Sequence, residues 1–478
     1  MCAFFVFTLC LQPYLHRQII LIVRHTEYIF TTFITNAMRY KNNPFFKKLP
    51  LAYIILLIVF LISFLYYYRY RHAFSFIDLA IKIEAARQQM HGQPVYFVTE
   101  NSNTKVVNGV ISSPTLNMLH IPFTWLAPCQ VKDTFFWVIY GLFFFCIVFA
   151  VRLTPLSSTW RPYVLAGCLI FFFIASRYLF FNFTQGQIYL LFTLLVFILY
   201  YLKSTKQYFL FGLVLCLSIT IRPLLLTPAI LTLFYFNKKE ITGILTGAVL
   251  FLLLTLATHT QNDWKDYFAA MPQYANQLPG RMPQTGVVFN IRPIFETNPL
   301  DACTEKVDIR NIFHTPDGRD GGLLLPMQQY FIKNFNRVVI NPTFYAGLSW
   351  GLCLILAFCV RWRFKEIPAE KYFAAFFLLY MICEIFIPAP RGPYNYVFWL
   401  FGVALILAKG NIIEVAFIVI GLLLNHDHPA ISHCREYGEL VMLLSCLIYL
   451  FRKSQRPYYL QWLQQFNWGR AFLHNSDT

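Results

Sequence analysis

LAYIILLIVFLISFLYYYRYRHAFSFIDLAIKIEAARQQMHGQPVY, residues 51–96, holds the reading on which the fold turns. Its first half continues an apolar run over residues 50–68, long enough to cross a hydrocarbon core of about 30 Å as a helix. Lys47 and Lys48 precede the run, and a basic flank favours the cytoplasmic side. The second half changes character. Phe76, Leu79, Ala80, Ile83, Ala86 and Met90 recur at helical spacing on one face, while Asp78, Lys82, Ala85 and Gln89 line the other. Gly92 and Pro94 stop the helix. The pattern predicts an amphipathic helix in the headgroup plane, with Asp78 at its head and turned away from lipid.

Outward from this stretch, apolar runs alternate with short basic loops. The chain is 58% hydrophobic and 13% charged, against about 25% charged in soluble domains. Further spans are predicted near residues 134–151, 163–181, 187–202, 241–258, 339–360, 371–388, 394–409, 411–424 and 437–451. Residues 211–236, FGLVLCLSITIRPLLLTPAILTLFYF, have basic residues beyond both ends, so the segment must go in and come back, hinged at Arg222 and Pro223. Each arm is then about 14 residues, short for a full crossing. The fold class expected is an all-α polytopic membrane protein of about 10–13 transmembrane helices with extracytoplasmic amphipathic helices. Residues 1–48 form a cytoplasmic arm or, up to residue 37, an over-extended start. Residues 49–452 form the membrane domain with outer loops 69–133 and 259–338, and 453–478 a cytoplasmic tail.

The net charge of +17 would suggest nucleic acid in a soluble protein. Here the cations gather in short loops between spans, where they set orientation, so no nucleic-acid partner is expected. The 12 cysteines show no CxxC spacing and mostly fall in apolar runs, as buried thiols do. A Cys129–Cys303 bridge between the outer loops is the alternative for those two.

Each candidate for chemistry has a plainer reading beside it. Asp78 either favours a helix N-terminus and pairs with Lys82 or acts as a base. Asn182-Phe183-Thr184-Gln185-Gly186-Gln187 either starts a helix or brings backbone and amide to a ligand, since glycine admits close approach and glutamine both donates and accepts. Arg222 sits among apolar residues, where insertion costs about 2.5–3.5 kcal/mol. It either snorkels at an interfacial turn or points its planar fork into a cavity suited to phosphate. Arg391, in Ala389-Pro390-Arg391-Gly392-Pro393-Tyr394-Asn395, is a second phosphate candidate or part of a rigid turn. Asn425-His426-Asp427-His428 with His433 reads as a polar outer loop, because no frame converges these groups on a metal. Asp263, Asp266, Glu296, Asp301, Glu305 and Asp308 are solvated loop acids, any of which could meet an acceptor. No phosphate-binding glycine loop, nucleophile elbow or zinc helix occurs.

Asp78, Ala85, Ala86, Gly92, Pro94 and Tyr96 fall in register with the segment after the first span in the polyprenyl-phosphate-sugar-dependent glycosyltransferases of family 87, within the GT-C superfamily, and the chain resembles that family there. Leu79 stands where an aromatic is usual, and Lys82 and Ile83 where tyrosines are common. Ser113-Pro114-Thr115 is similar to the second half of the same loop. Gly186 and Gln187 resemble the family's Gly-Gln-x-Asn element, with Tyr189 in place of Asn, and Arg222 before Pro223 matches a basic residue followed by proline.

The resemblance implies a GT-C fold with a cavity at the extracytoplasmic face, in a bacterial-type plasma membrane. It implies a polyprenyl-phosphate-linked sugar donor, mannose in the best-known members, and a glycan or glycolipid acceptor. Asp78 would be the general base of an inverting displacement. Arg222 and Arg391 would hold the donor phosphate, and Gln187, Asn182, Lys82 and Tyr96 the sugar or acceptor. No cofactor is required, and a divalent metal stays open. A flippase or transporter of lipid-linked sugars is the alternative from another class, against which the lack of an internal repeat counts; a polysaccharide polymerase is the enzymatic alternative. On this reading Asp78→Asn abolishes sugar transfer while membrane insertion and expression, followed by fractionation and immunoblot, stay at wild-type levels.

Overall fold

The computed structural model describes residues 51–96, 98–101, 104–108, 112–154, 160–172, 177–235, 237–275, 287–290, 299–303, 342–386, 393–425 and 434–452. Helix α1 (Leu51–Arg69) is followed by α2 (Ile77–Met90), β1 (Val98–Asn101), β2 (Thr104–Asn108), α3 (Pro114–Met118) and α4 (Pro128–Leu153). Next come α5 (Arg161–Ile170), α6 (Arg177–Gln185), α7 (Tyr189–Ser204), α8 (Tyr208–Ile221), α9 (Leu226–Phe234), α10 (Lys238–Ala257) and α11 (Gln261–Ala275). After β3 (Val287–Asn290) the chain continues through α12 (Pro342–Arg363), α13 (Ala369–Phe386), α14 (Trp399–Lys409), α15 (Ile412–Leu424) and α16 (Cys434–Phe451). Among the described residues, α1, α4 and α10 are long and apolar enough to cross a membrane by length and composition. Shorter apolar helices, α5, α7, α14 and α15 among them, fall where the hydropathy placed further spans, and α8 and α9 form the two short arms of residues 211–236.

The path through residues 211–236 is the in-and-back path expected. Proline at position 223 lacks an N–H and restricts the residue before it, so α8 ends at Ile221 and a 3-10 turn at Pro223–Leu225 leads into α9. Helices α8 and α10 pack at backbone distance. A Cβ on Gly212 would lie 2.1 Å from Glu240 O, and one on Gly243 2.1 Å from Phe209 O. Small residues allow such an approach, and close packing is a main source of helix association in lipid. Phe209 meets Gly243 and Cys216 meets Gly247, so α8 and α10 run the same way and α9 between them must return.

The two ends of this bundle differ. At one, Lys203 in the last turn of α7 pairs with Glu240 at the start of α10 at 2.7 Å. The hydroxyl of Tyr235, just past α9, donates to Val360 O and Phe364 O, 2.9 and 3.0 Å away at the end of α12. At the other end lie the start of α7, the hinge at Arg222 and the end of α13, where Arg222 pairs with Glu384.

The two long loops expected on one side of the membrane meet. Strand β1 pairs antiparallel with β2, Val98 opposite Val107, and β2 pairs parallel with β3, Val106 opposite Val288. Cys129 at the start of α4 is bridged to Cys303, closing 174 residues. Helix α11 packs on α2 through Tyr267 and Ala270 against Ile81, Ala85, Val95 and Tyr96. Two expectations change. The helical reading gains a small sheet, formed by the β-branched stretches of both loops. Helix α2 does not lay a face in lipid, because Leu79, Ala80, Ile83 and Ala86 on one side and Lys82, Ala85 and Gln89 on the other are all buried in protein.

Cross-linking a loop of this size removes unfolded-state entropy equivalent to about 5 kcal/mol. Thiol counting under denaturing conditions should therefore find two more reactive cysteines after reduction, and Cys129→Ser and Cys303→Ser should destabilise equally and non-additively in thermal unfolding.

Candidate active site

The site begins with a strained residue. Phe76, just before α2, has φ 50, a left-handed conformation costing a bulky side chain about 1–3 kcal/mol. Its N–H donates to Thr184 O at 2.9 Å, and its buried ring meets Phe74 and Phe135 edge-on. This docks the head of α2 on the turn between α6 and α7. Gly186 in that turn has φ +71, and a Cβ there would fall 2.4 Å from Leu79 Cβ. The glycine thus lets protein backbone approach Asp78's neighbour, where the sequence suggested approach to a ligand.

Gln187 is the keystone of the contact. Its Nε2 donates to Asp78 Oδ2, and its Oε1 accepts from Lys82 Nζ at 2.9 Å. Lys82 also reaches Gly186 O at 3.4 Å. The amide expected to read sugar hydroxyls instead orients a carboxylate and an ammonium one turn apart on α2. Asp78 is half-buried, and its Oδ1 accepts no hydrogen bond from the described residues. Burial raises the Asp78 pKa above 3.8, with Lys82 and the Gln187 hydrogen bond opposing. Burial lowers the Lys82 pKa to about 8, Asp78 opposing and Arg222 adding to the shift. A carboxylate more basic than usual, one oxygen held and one available, can accept a proton.

Arg222 lies close enough to lower the Lys82 pKa, with its guanidinium 5.2 Å from the Tyr189 ring centroid and 5.7 Å from that of Phe192. It is not the open fork expected. Its Nη2 donates to Glu384 Oε1, which also accepts from the Tyr380 hydroxyl, while Asn395 Nδ2 donates to Glu384 Oε2 at 3.3 Å. The Arg222 side chain is 24% exposed against 4% for Glu384, its Nε is buried, and it also interacts with Tyr189. The exposed quarter of the side chain is the part an anion could meet.

Asn182 is buried, and its carbonyl accepts Gln187 N at 2.9 Å, shaping the turn. The Tyr96 hydroxyl donates to Ser112 O and accepts from Asn117 Nδ2 at 2.8 Å, and the Tyr96 ring packs edge-on with Tyr267. Arg391 and the 426–433 histidine loop lie outside the described residues, as do Glu296, Glu305 and Asp308. Asp263 accepts from Gln89 Nε2 at 3.1 Å. Among the described residues no cluster of His, Cys, Asp or Glu could hold a metal.

Sequence reasoning passed over Glu384 and His120. A lone carboxylate inside YMICEIF is a signal, since acids within apolar helices are costly and tend to be functional. His120 Nδ1 donates to Leu116 O at 2.8 Å, and burial together with Lys82 pushes its pKa down to about 3, so the ring is neutral. No signal in the sequence placed it near Lys82.

A half-buried carboxylate, two cations and a bracing amide at one end of a helical membrane protein define a polar site suited to anionic and hydroxylic ligands. Residues 113–292 match the model of Glycosyltransferase family 87, a family of glycosyltransferases, and the match supports transferase activity. It includes Gln187, Arg222 and Asp263, and neither Asp78 nor Glu384. Neither a curated protein nor a solved structure matches the chain.

Activity that needs ionised Asp78 falls as pH drops through its pKa, so the acid limb of kcat/KM should lie above pH 3.8. Lys82→Met removes the charge that lowers that pKa and should move the limb upward, by about one pH unit for an interaction of about 1.4 kcal/mol. A pH–rate profile of both proteins measures the shift.

Proposed function

We propose that the chain is a multi-pass glycosyltransferase that moves a sugar, mannose or a related hexose or pentose, from a polyprenyl-phosphate carrier to a hydroxyl of an extracytoplasmic glycan or lipid. The observation that carries this reading is Asp78, with Oδ2 held by Gln187 and Oδ1 available, and with Arg222 close enough to act electrostatically on Lys82. Asp78 accepts the acceptor's proton as its oxygen attacks the anomeric carbon, a contribution of about 10²–10⁴-fold. The bond from that carbon to the phosphate oxygen breaks, its electron pair leaves with the phosphate, and the anomeric centre inverts. Arg222 stabilises the charge gathering on the leaving group. No group need protonate it, since a phosphate departs as an anion.

Placement of the site outside the cytosol is supported by two features. The Cys129–Cys303 bridge belongs to an oxidising compartment. The opposite end of the bundle carries Lys203, Lys238 and Arg361, as cytoplasmic ends do.

The direct test incubates membranes with radiolabelled polyprenyl-phosphate mannose, and separately other sugars, and identifies the labelled product. A new glycosidic bond of inverted configuration is expected, and uptake without bond formation would transfer the reading to a carrier. Arg222→Lys keeps the charge opposite Glu384 and loses the fork. It should raise the donor KM about tenfold, a loss of about 1.4 kcal/mol, with the acceptor KM unchanged; equal effects on both would make Arg222 structural.

A further inference from the structure

Glu384 has no role in the displacement above, yet it is buried beside Arg222. It sits near the end of α13, 4% exposed, with Arg222, Tyr380 and Asn395 all directing hydrogens at its two oxygens. An arginine needed only for structure would be balanced by this carboxylate and finished. Arg222 keeps about a quarter of its side-chain surface open even so. Resting on the carrier-phosphate reading, the arrangement places a fixed negative charge behind the cation that meets the phosphate.

The charges can be followed through the reaction. Before transfer the cluster holds Lys82 and Arg222 against Asp78 and Glu384, two cations and two anions. The donor is a phosphodiester with one negative charge. Transfer moves one proton to Asp78 and leaves the carrier as a phosphomonoester, whose second ionisation lies near about 6. Once Asp78 sheds its proton, a doubly charged product faces two carboxylates. We infer that Glu384 is the selectivity element of the phosphate site, making Arg222 favour the singly charged diester over the doubly charged monoester and so driving the used carrier out.

The physical basis is that a fixed charge acts once on a monoanion and twice on a dianion at the same distance. If neutralising Glu384 tightens a diester about threefold, it should tighten a monoester about ninefold. Glu384→Gln is nearly isosteric and can keep a hydrogen bond to Arg222. Tyr380→Phe removes a brace and leaves the charge, so it separates charge from packing.

The experiment measures equilibrium binding of farnesyl phosphate and of its methyl ester, a diester, to the purified full-length protein in nanodiscs, at a pH about two units above the monoester's second ionisation. The expected result is that Glu384→Gln gains more affinity for the monoester than for the diester, while Tyr380→Phe leaves their ratio at the wild-type value. In turnover, Glu384→Gln should show stronger inhibition by the monoester. An equal change for both probes, or a ratio that moves as far in Tyr380→Phe, overturns the inference and leaves the carrier reading standing. Wild-type protein that binds neither probe overturns both.

Discussion

The bridge that Gln187 makes between Asp78 and Lys82 is the interaction on which the rest depends. It joins the helix after the first span to the start of α7, and it sets two opposite charges on α2 without letting them collapse onto each other. Everything around it supports that contact. Phe76 is held in a strained conformation by its bond to Thr184 O, and Gly186 is small enough to lie against Leu79. Strain of this kind persists only where surrounding structure determines it, and here it aims a carboxylate.

Around this bridge the protein assembles a nearly neutral group from four ionised side chains. Burying one charge alone would be prohibitive, and removing one partner of a buried pair costs about 3–5 kcal/mol. Lys82 balances Asp78 and Glu384 balances Arg222, while each pair retains one group that is not fully engaged. On the proposed function, that division separates a proton acceptor from an anion contact. The sheet, the disulfide and the α2–α11 packing then tie the outer loops over the same end of the helices.

Much of the fold was legible because its signals are local. Apolar runs, Arg222 before proline and Gly92 after a helical period depend on neighbours in sequence, and the helix boundaries follow them closely. Part of the site was legible too: Asp78, Lys82, Gln187 and Arg222 do come together. Their expected roles were less so. The amphipathic pattern of α2 says which residues are apolar and not whether lipid or protein covers them, and protein covers them. Gln187 offers the same donor and acceptor to a sugar or to Asp78. Tyr96 matched a motif, and its hydroxyl serves Ser112 and Asn117.

By itself the sequence determined that the chain is helical and apolar, where it breaks and turns, and which few polar residues had to be accounted for, because hydropathy and backbone restriction act over a few residues. Only the tertiary structure decided the partners. Glu384 lies 162 residues from Arg222, Cys303 lies 174 from Cys129, and the strands of one loop pair with the other. Such pairings arise from packing of helices distant along the chain, which no local pattern encodes, and a charged group's chemistry follows from the partner it meets there.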